Sequence, residues 1–373
     1  MRKSGLVQNS FTTQALACWI GRVAGLEEAA LPAELASWDS RNHRLAWLAL
    51  NQDGFREQAA TLRERYGADR IALVLGTSTS SIGETEHAYR ELDADGHFPE
   101  SQRRSQVHQP HSLSAFVQTA LALHGPCLTL ATACSSSAKV FASAERLLRA
   151  GLADAAIVGG VDTLCDSVLF GFNALELVSP EPCTPFDIDR RGLSIGEAAG
   201  FAILERPAQN GKVEKDAMRL IGYGESSDAH HMSSPHPQGL GAQRALTDAL
   251  ARAGIATNDV DYVNLHGTAS RQNDAVESAL IARLFPATTL ASSTKGWSGH
   301  TLGAAGILEA VITLLALEQG LVPGTLNTRT LDTDCAQQIV LDNRARELRI
   351  ALSNSFGFGG NNCCLAFARG AAP

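Results

Sequence analysis

The chain has 373 residues, of which 45% are hydrophobic, enough for a large core and for two domains or one duplicated unit. A formal net charge of −8 argues against general nucleic-acid binding, and the eight cysteines, with no CxxC pair, form neither a disulfide framework nor a zinc ribbon. A reducing cytoplasm is therefore the expected location, and without an uninterrupted run of about eighteen apolar residues no membrane span is expected. The opening MRKSGLVQNSFTTQ lacks the apolar core of a signal peptide.

Taken in order, the patterning predicts a helix over 15–30, ended near Pro32, and a mostly helical stretch over 41–64 interrupted at Asp53-Gly54. A strand is predicted at 71–75, followed by a Gly/Ser/Thr-rich loop, GTSTSSIGET. Residues 90–112, rich in His, Arg and Pro, read as a surface segment, and 114–123 as a helix broken by Gly125-Pro126. A short strand at 128–132 turns at Ala133-Cys134 into a helix. Its apolar face is Val140, Phe141, Ala144, Leu147 and Leu148, and Gly151 closes it. The next strand, 155–158, is closed by Gly159-Gly160; residues 179–200 are irregular; 201–204 is a strand. The polar stretch 207–214 divides the chain into halves 1–207 and 208–373. In the second half, strands are predicted at 221–224, 261–265, near Ile339, at 348–352 and at 363–367. A helix is predicted over 239–253, and two more before Gln319. The alternation predicts an α/β fold with largely parallel sheets, duplicated, with a site between the halves.

Four loops carry chemistry. Cys134 falls where a strand hands over to a helix N-terminus, where free N–H groups and the dipole favour a thiolate. That position suits a nucleophile or a small buried cysteine. His266 follows a strand in VNLHGTAS; Lys295 and His300 lie five positions apart in STKGWSGHTLGAAG; Phe358 sits between glycines in SNSFGFGGNN. Singly, a histidine at a strand end is a structural residue more often than a ligand, and a glycine-rich loop is usually a turn. A cysteine at a helix start combined with two histidines in strand-end loops points to chemistry.

These stretches together resemble the elongating-type β-ketoacyl-acyl-carrier-protein synthases of the thiolase-fold superfamily, over nearly the whole chain from residue 71. The resemblance implies a thiolase-like duplicated fold in five layers, αβαβα. TACSSS resembles the family's nucleophile motif, making Cys134 the acylated cysteine; LHGTAS supplies His266, and KGWSGHTLGAAG supplies Lys295 and His300. Glu309 matches the acidic partner of the lysine, and Asp274 a second acidic position; SFGFGG matches the gating loop, with Phe358 as gate. CTPFDIDRRG and GEAAG match a structural stretch usually reading PFD-x2-R-x-G and GEGAG. Thr268 and Ser270 would bind the phosphopantetheine arm of a carrier protein. No second cysteine stands in the C-terminal loop, as in thiolases, and no asparagine replaces His300, as in initiation-type synthases. A chain-length factor would have lost Cys134.

The implied reaction is a decarboxylative Claisen condensation of an acyl group on Cys134 with malonyl-acyl-carrier protein, needing no redox cofactor and no metal. His266 and His300 would meet the enolate oxygen, backbone N–H groups of Cys134 and Phe358 the tetrahedral oxyanion, and Lys295 would order the His300 side. Expected partners are an acyl-carrier protein and a second subunit, in a homodimer or in a heterodimer with a related chain. Arg103, Arg104, Arg41 and Arg44 are either solvated charges or docking residues for the acidic carrier. Three departures stand out: no initial strand of the VVITG type, Ser270-Arg271 where Thr-Pro is usual, and Asn361 where Thr is usual. The divergent first half suits a specialised pathway such as an aryl-polyene or other polyketide, with fatty-acid elongation as rival. A non-catalytic, chain-length-factor-like partner is the alternative from another class. His230, His231 and His236 read as surface or structural residues, and His108 and His111 lack a third ligand for a metal.

Overall fold

The computed structural model describes residues 3–12, 14–207 and 214–370. In the first half the elements are β1 (Leu6–Gln8), β2 (Trp19–Gly21), α1 (Arg41–Leu50), α2 (Phe55–Tyr66), β3 (Ile71–Gly76), α3 (Ile82–Arg90) and α4 (Ser112–Ala120). They continue with β4 (Cys127–Leu130), α5 (Ser136–Arg149), β5 (Ala155–Asp162), α6 (Asp166–Ala174), β6 (Ile195–Gly196) and β7 (Ala198–Glu205). The second half holds β8 (Met218–Ser227), α7 (Leu240–Ala253), β9 (Tyr262–Asn264), α8 (Arg271–Leu284), β10 (Leu290–Ser292) and α9 (Lys295–Ser298). It ends with α10 (Ala305–Gln319), β11 (Leu321–Val322), β12 (Arg344–Ala345), β13 (Ile350–Gly357) and β14 (Asn361–Arg369).

Two mixed sheets repeat one plan. The first has the order β4-β3-β5-β7 and the second β10-β9-β13-β14-β8. In each, three strands are parallel and the next is antiparallel, β7 on β5 and β14 on β13. The second sheet carries one further antiparallel strand, β8 on β14. The outer edge of β7 has no such strand among the described residues, and β1 pairs instead with β2 in a small sheet with β6. The sequence expectation of largely parallel sheets is thus corrected to mixed ones: β14 returns from β13 by a tight connection, and β7 and β8 also run antiparallel to the strands they pair with.

Period-two alternation on strands buried on both faces builds the layers. On β3, Ile71, Leu73 and Leu75 face α1, α2 and α4, while Ala72 and Val74 face α5. Each large side chain so buried contributes about 1.5–3 kcal/mol. The central layer is α5 and α10, where Val140, Phe141 and Leu148 meet Ile307, Ala310 and Leu317. α7 and α8 cover the far face of the second sheet. This is the five-layered, duplicated thiolase fold. Close approach of the two central helices requires small residues: a Cβ on Gly306 would stand 2.4 Å from Ala138 N.

Several local expectations change. Residues 15–30 form no helix but an extended segment with β2, because Cys18 and Ile20 alternate into a small core with Leu164, Leu169 and Leu302. β5 does not end at Gly159-Gly160; it runs on to Asp162, and the glycines let it pass Phe201 and Ser137, which a Cβ would meet at 2.5 Å. The loop after β3 contains α3, and near Ile339 only an isolated bridge to Ala291 forms. The stretch Leu302–Gln319 is long and apolar enough by composition to cross a membrane, which an uninterrupted-run criterion misses because Glu309 interrupts it. It is 61% buried as the core helix of the central layer. The polar stretch between the halves falls largely on 208–213, outside the described residues.

Candidate active site

The nucleophile turn is built by its own side chains. Ala133 takes a left-handed conformation, φ 52°, between β4 and α5, an arrangement costing a non-glycine residue about 1–2 kcal/mol. Two hydroxyls compensate through three hydrogen bonds. Ser136 Oγ accepts from Thr132 N at 2.9 Å and donates to Ala133 O at 2.6 Å, and Ser135 Oγ donates to Thr132 O at 2.9 Å. The serines of TACSSS therefore hold the turn that lifts Cys134 toward the site. A Cβ at Gly357 would lie 3.1 Å from Cys134 N, so a side chain there would make the Cys134 turn give by a few tenths of an ångström.

His300 Nε2 lies 3.0 Å from Cys134 Sγ, and the His266 and His300 rings meet edge-on with centroids 5.3 Å apart. All three residues are buried. Backbone bonds from His300 N to Ser194 O, 2.7 Å, and from Gly196 N to His300 O, 2.9 Å, stitch His300 onto β6. His266 is fixed through Glu277, which accepts from His266 N and Gly267 N, both at 2.8 Å.

Lys295 and Glu309 form a buried ion pair. Lys295 Nζ also donates to His266 O at 2.6 Å and stands 3.4 Å from His266 Nδ1. The lysine therefore serves His266, not the His300 side expected from the sequence. Motif spacing reports which residues converge, not which ring a flexible lysine reaches. An ammonium facing Nδ1 leaves the ring proton on Nε2, so His266 presents an N–H to the site. His300 Nδ1 is buried with no partner among the described residues.

Electrostatics revise the thiolate expectation. Burial pushes the Cys134 thiol up to about 11, against the lowering effects of Lys295 and of the Phe358 and Cys134 backbone N–H groups. Desolvation outweighs the helix terminus that the sequence suggested would lower it. Burial and the lysine charge hold both His266 and His300 well below the usual imidazole range, so both are neutral. Burial raises Glu309 and Glu277 to about 7 each, the lysine opposing the rise at Glu309.

A cavity of about 390 Å³ opens from Cys134, His266 and His300 past Thr268, Ser270 and Phe358. Phe358 is half-buried and stacks on Phe172, centroids 5.3 Å apart at 18°. Asp274 is fully buried away from this wall, accepting from Phe186 N at 2.8 Å and Ala269 N at 3.2 Å; burial raises it to about 6. It holds the backbone behind Thr268 and Ser270 rather than facing the cavity.

The basic residues sit elsewhere. Arg41 is bidentate on buried Glu197, Arg44 pairs with Asp39, and Arg104 pairs with Glu84; all three line a second cavity of about 410 Å³. Arg103 donates only to Phe98 O, at 2.8 Å. His108 bonds Thr85 and Gln102, and His111 bonds Thr129, so both are structural. The donor atoms of Cys134, His266 and His300 lie within 4.8 Å of one another, a spacing a cation could use. The Lys295 charge behind His266 opposes one.

Two residues escaped the sequence reading, and a third, Asn361, stood there only as a departure from the family pattern. Asp162 at the end of β5 accepts from Ser78 N at 3.0 Å, Thr79 N at 3.0 Å and Gly303 N at 2.6 Å, bracing the turn after His300. Glu277, three residues past Asp274, lacked a motif to mark it. Asn361 Nδ2 donates to Phe358 O at 3.3 Å while its Oδ1 accepts from Lys139 Nζ at 3.4 Å, tying the gating loop to α5.

The chain matches the family model of the β-ketoacyl synthase N-terminal domain over residues 42–210 and that of the C-terminal domain over 218–329. It is 34% identical over 357 residues to nodulation protein E of Rhizobium meliloti (strain 1021), covering 92% of this chain and 88% of that protein. It is 31% identical over 367 residues to 3-oxoacyl-[acyl-carrier-protein] synthase 2 of Mycobacterium bovis, covering 92% and 88%. A chain of the solved complex of a ketosynthase with its chain length factor, from Xenorhabdus doucetiae, superposes with a TM-score of 0.88 and 39% identity over 98% of this chain and 90% of the other. The residues that close around Cys134 and the matches along the chain agree: this protein belongs to the β-ketoacyl synthase family.

Proposed function

We propose that this chain catalyses decarboxylative Claisen condensation of an acyl group on Cys134 with malonyl-acyl-carrier protein, releasing a β-ketoacyl-acyl-carrier protein. The observation that carries the proposal is the 3.0 Å approach of His300 Nε2 to Cys134 Sγ, beside His266, at the floor of the cavity. In loading, Cys134 sulfur bonds the acyl carbonyl and the carrier thioester breaks. The cysteine proton ends on the departing thiol, so no base need keep it. In condensation, the malonyl carboxylate leaves as CO₂, and the electron pair forms a C–C bond to the acyl carbonyl. The Cys134 thioester then breaks, and the thiolate regains a proton. His266, held as its Nε2–H form by Lys295, donates to the enolate oxygen together with His300. Phe358 and Cys134 backbone N–H groups serve the tetrahedral oxyanion. This chemistry draws on no metal and no redox cofactor.

The pathway reading is a specialised polyketide, such as an aryl polyene, with fatty-acid elongation as rival. The open edge of β4, with exposed Leu128 and half-exposed Cys127 and Thr129, supports a second subunit pairing there, identical or related. Eight unpaired cysteines suit a reducing cytoplasm. A second reading, a non-catalytic partner like a chain length factor, draws support from the solved complex of that kind; the intact Cys134 speaks against it. Incubation with acyl- and malonyl-carrier proteins tests the choice. A mass shift on Cys134 and a β-ketoacyl product support catalysis; neither, across several carriers, supports the partner reading.

A further inference from the structure

Arg41, Arg44 and Arg104 are held by carboxylates at the second cavity, so the wall of the active-site cavity must be searched for charge of its own. Arg191 and Arg271 both line it. Both are exposed. Among the described residues Arg191 has only Glu181 as an ion-pair partner, 3.8 Å away and itself 70% exposed, a contact worth little in water. Arg271 makes no side-chain hydrogen bond or ion pair among the described residues.

Their backbones are joined. Arg190, 6% exposed, donates to Arg271 O at 3.3 Å, to Asp187 O at 2.9 Å and to Asp332 at 2.6 Å. One buried guanidinium thus pins the segment bearing Arg191 to the segment bearing Arg271. Arg271 also opens α8 directly after Ser270, and Thr268 and Ser270 line the same wall. Both guanidinium groups thus line one wall, Arg191 with only a long contact to exposed Glu181 and Arg271 felt by Asp332 through its charge alone, a place suited to an anion. Of the two carboxylates on that wall, Asp228 is occupied by Asn362 Nδ2 and His236 N, and Glu176 is exposed. The chain as a whole carries −8, so this pair is a local feature and not a general basicity.

We propose that Arg191 and Arg271 form an anion site for the phosphate of the phosphopantetheine arm, engaged while its thioester reaches Cys134. The proposal rests on the condensing function above and adds to it the group that recognises the arm. Guanidinium matches phosphate oxygens in paired hydrogen bonds, whereas the amide stretch of the arm offers only neutral partners such as Thr268 and Ser270. Position 271 is where the family resemblance leads one to expect proline, so this cation is the chain's own.

The test compares acetyl-pantetheine, acetyl-phosphopantetheine and acetyl-loaded carrier protein as acyl donors, with Cys134 acylation followed by intact mass. Wild type should load faster from the phosphorylated donors. The Arg191→Ala/Arg271→Ala variant should lose that preference by on the order of 10-fold or more, with acetyl-pantetheine loading unchanged, the effect of removing hydrogen bonds to a charged group. Arg191→Lys/Arg271→Lys should recover part of it. Equal loading of wild type from both small donors, or an unchanged preference in the double variant, overturns the site. A second readout is independent of chemistry: non-reactive amide analogues of phosphopantetheine and pantetheine are tested for protection of Cys134 from iodoacetamide. If no donor acylates Cys134, the condensing function fails. Stronger protection by the phosphorylated analogue, lost in the arginine variant, still upholds the anion site, and equal protection by both overturns it.

Discussion

Replacing Lys295 with methionine separates the two histidines. Among the described residues the ammonium makes three contacts, to Glu309, to His266 O and to His266 Nδ1, and reaches His300 only through its charge. Its loss frees the His266 ring proton to move to Nδ1, removing one donor from the enolate oxygen. One such donor is worth ~10²–10³ in rate, so CO₂ release from malonyl-carrier protein should fall by that factor. Acyl loading should fall less, since the lysine is only one of the influences opposing burial at Cys134. Breaking a buried ion pair costs about 3–5 kcal/mol of stability. Glu309 stands near 7 and can neutralise by taking up a proton, which limits that cost at acid pH. The Lys295→Met/Glu309→Gln variant removes both charges and should restore folding without restoring decarboxylation. The assay pairs CO₂ release with the mass shift of Cys134, after circular dichroism has shown the fold. Undiminished CO₂ release in the folded double variant, or equal loss of both steps, refutes the reasoning.

Three more outcomes follow from the same geometry. Phe172→Ala should loosen Phe358, and Phe358→Ala should remove it, each letting malonyl and acyl groups compete for Cys134; unchanged loading selectivity would mean the stacked pair is only packing. Iodoacetamide labelling of Cys134 in the resting protein should keep rising from pH 7 to 10, because burial holds the thiol near 11; a plateau by pH 8 would mean the sulfur is better solvated or better paired than described. Buried His43, stacked on Phe116 at 4.7 Å and lowered to about 4 by burial, stays neutral in the fold while the unfolded chain protonates near 6.5. A lowered cation pKa costs stability as pH falls, so between pH 6.5 and 4 His43 should account for a loss of about 3 kcal/mol. Urea unfolding of wild type and His43→Gln across that range reads it, and parallel acid slopes would contradict it.

The catalytic loops were legible because each sits beside glycines and turn residues whose placement is local: His266 before Gly267, His300 after Gly299, and Phe358 between Gly357 and Gly359. Helices with strong apolar faces, such as α5, were legible for the same reason. What failed to show were contacts between distant segments. Which histidine Lys295 serves depends on the crossing of α10 with the loop after β9, and the period-two burial of Cys18 and Ile20 exists only because Leu164, Leu169 and Leu302 from later segments pack with them. The Cys134 microenvironment was misjudged because position at a helix start is local, whereas burial is a property of the whole assembly of loops. Arg191 passed as one charge in an irregular stretch, since only Arg190 and its bond to Arg271 O bring it to the cavity.

The central claim is that loading and decarboxylation use separate groups in one cavity, and Cys134→Gln tests it most directly. The amide imitates an acylated cysteine and cannot be acylated, while His266 and His300 remain. Incubated with malonyl-carrier protein, this variant should release CO₂ at a rate at least matching wild type, with no mass gain on the protein. The same variant with His300→Ala should lose that release by ~10²-fold or more, the worth of one oxyanion donor. A Cys134→Gln protein that folds but releases no CO₂ would contradict the division of labour. Release that survives the loss of His300 would do so equally.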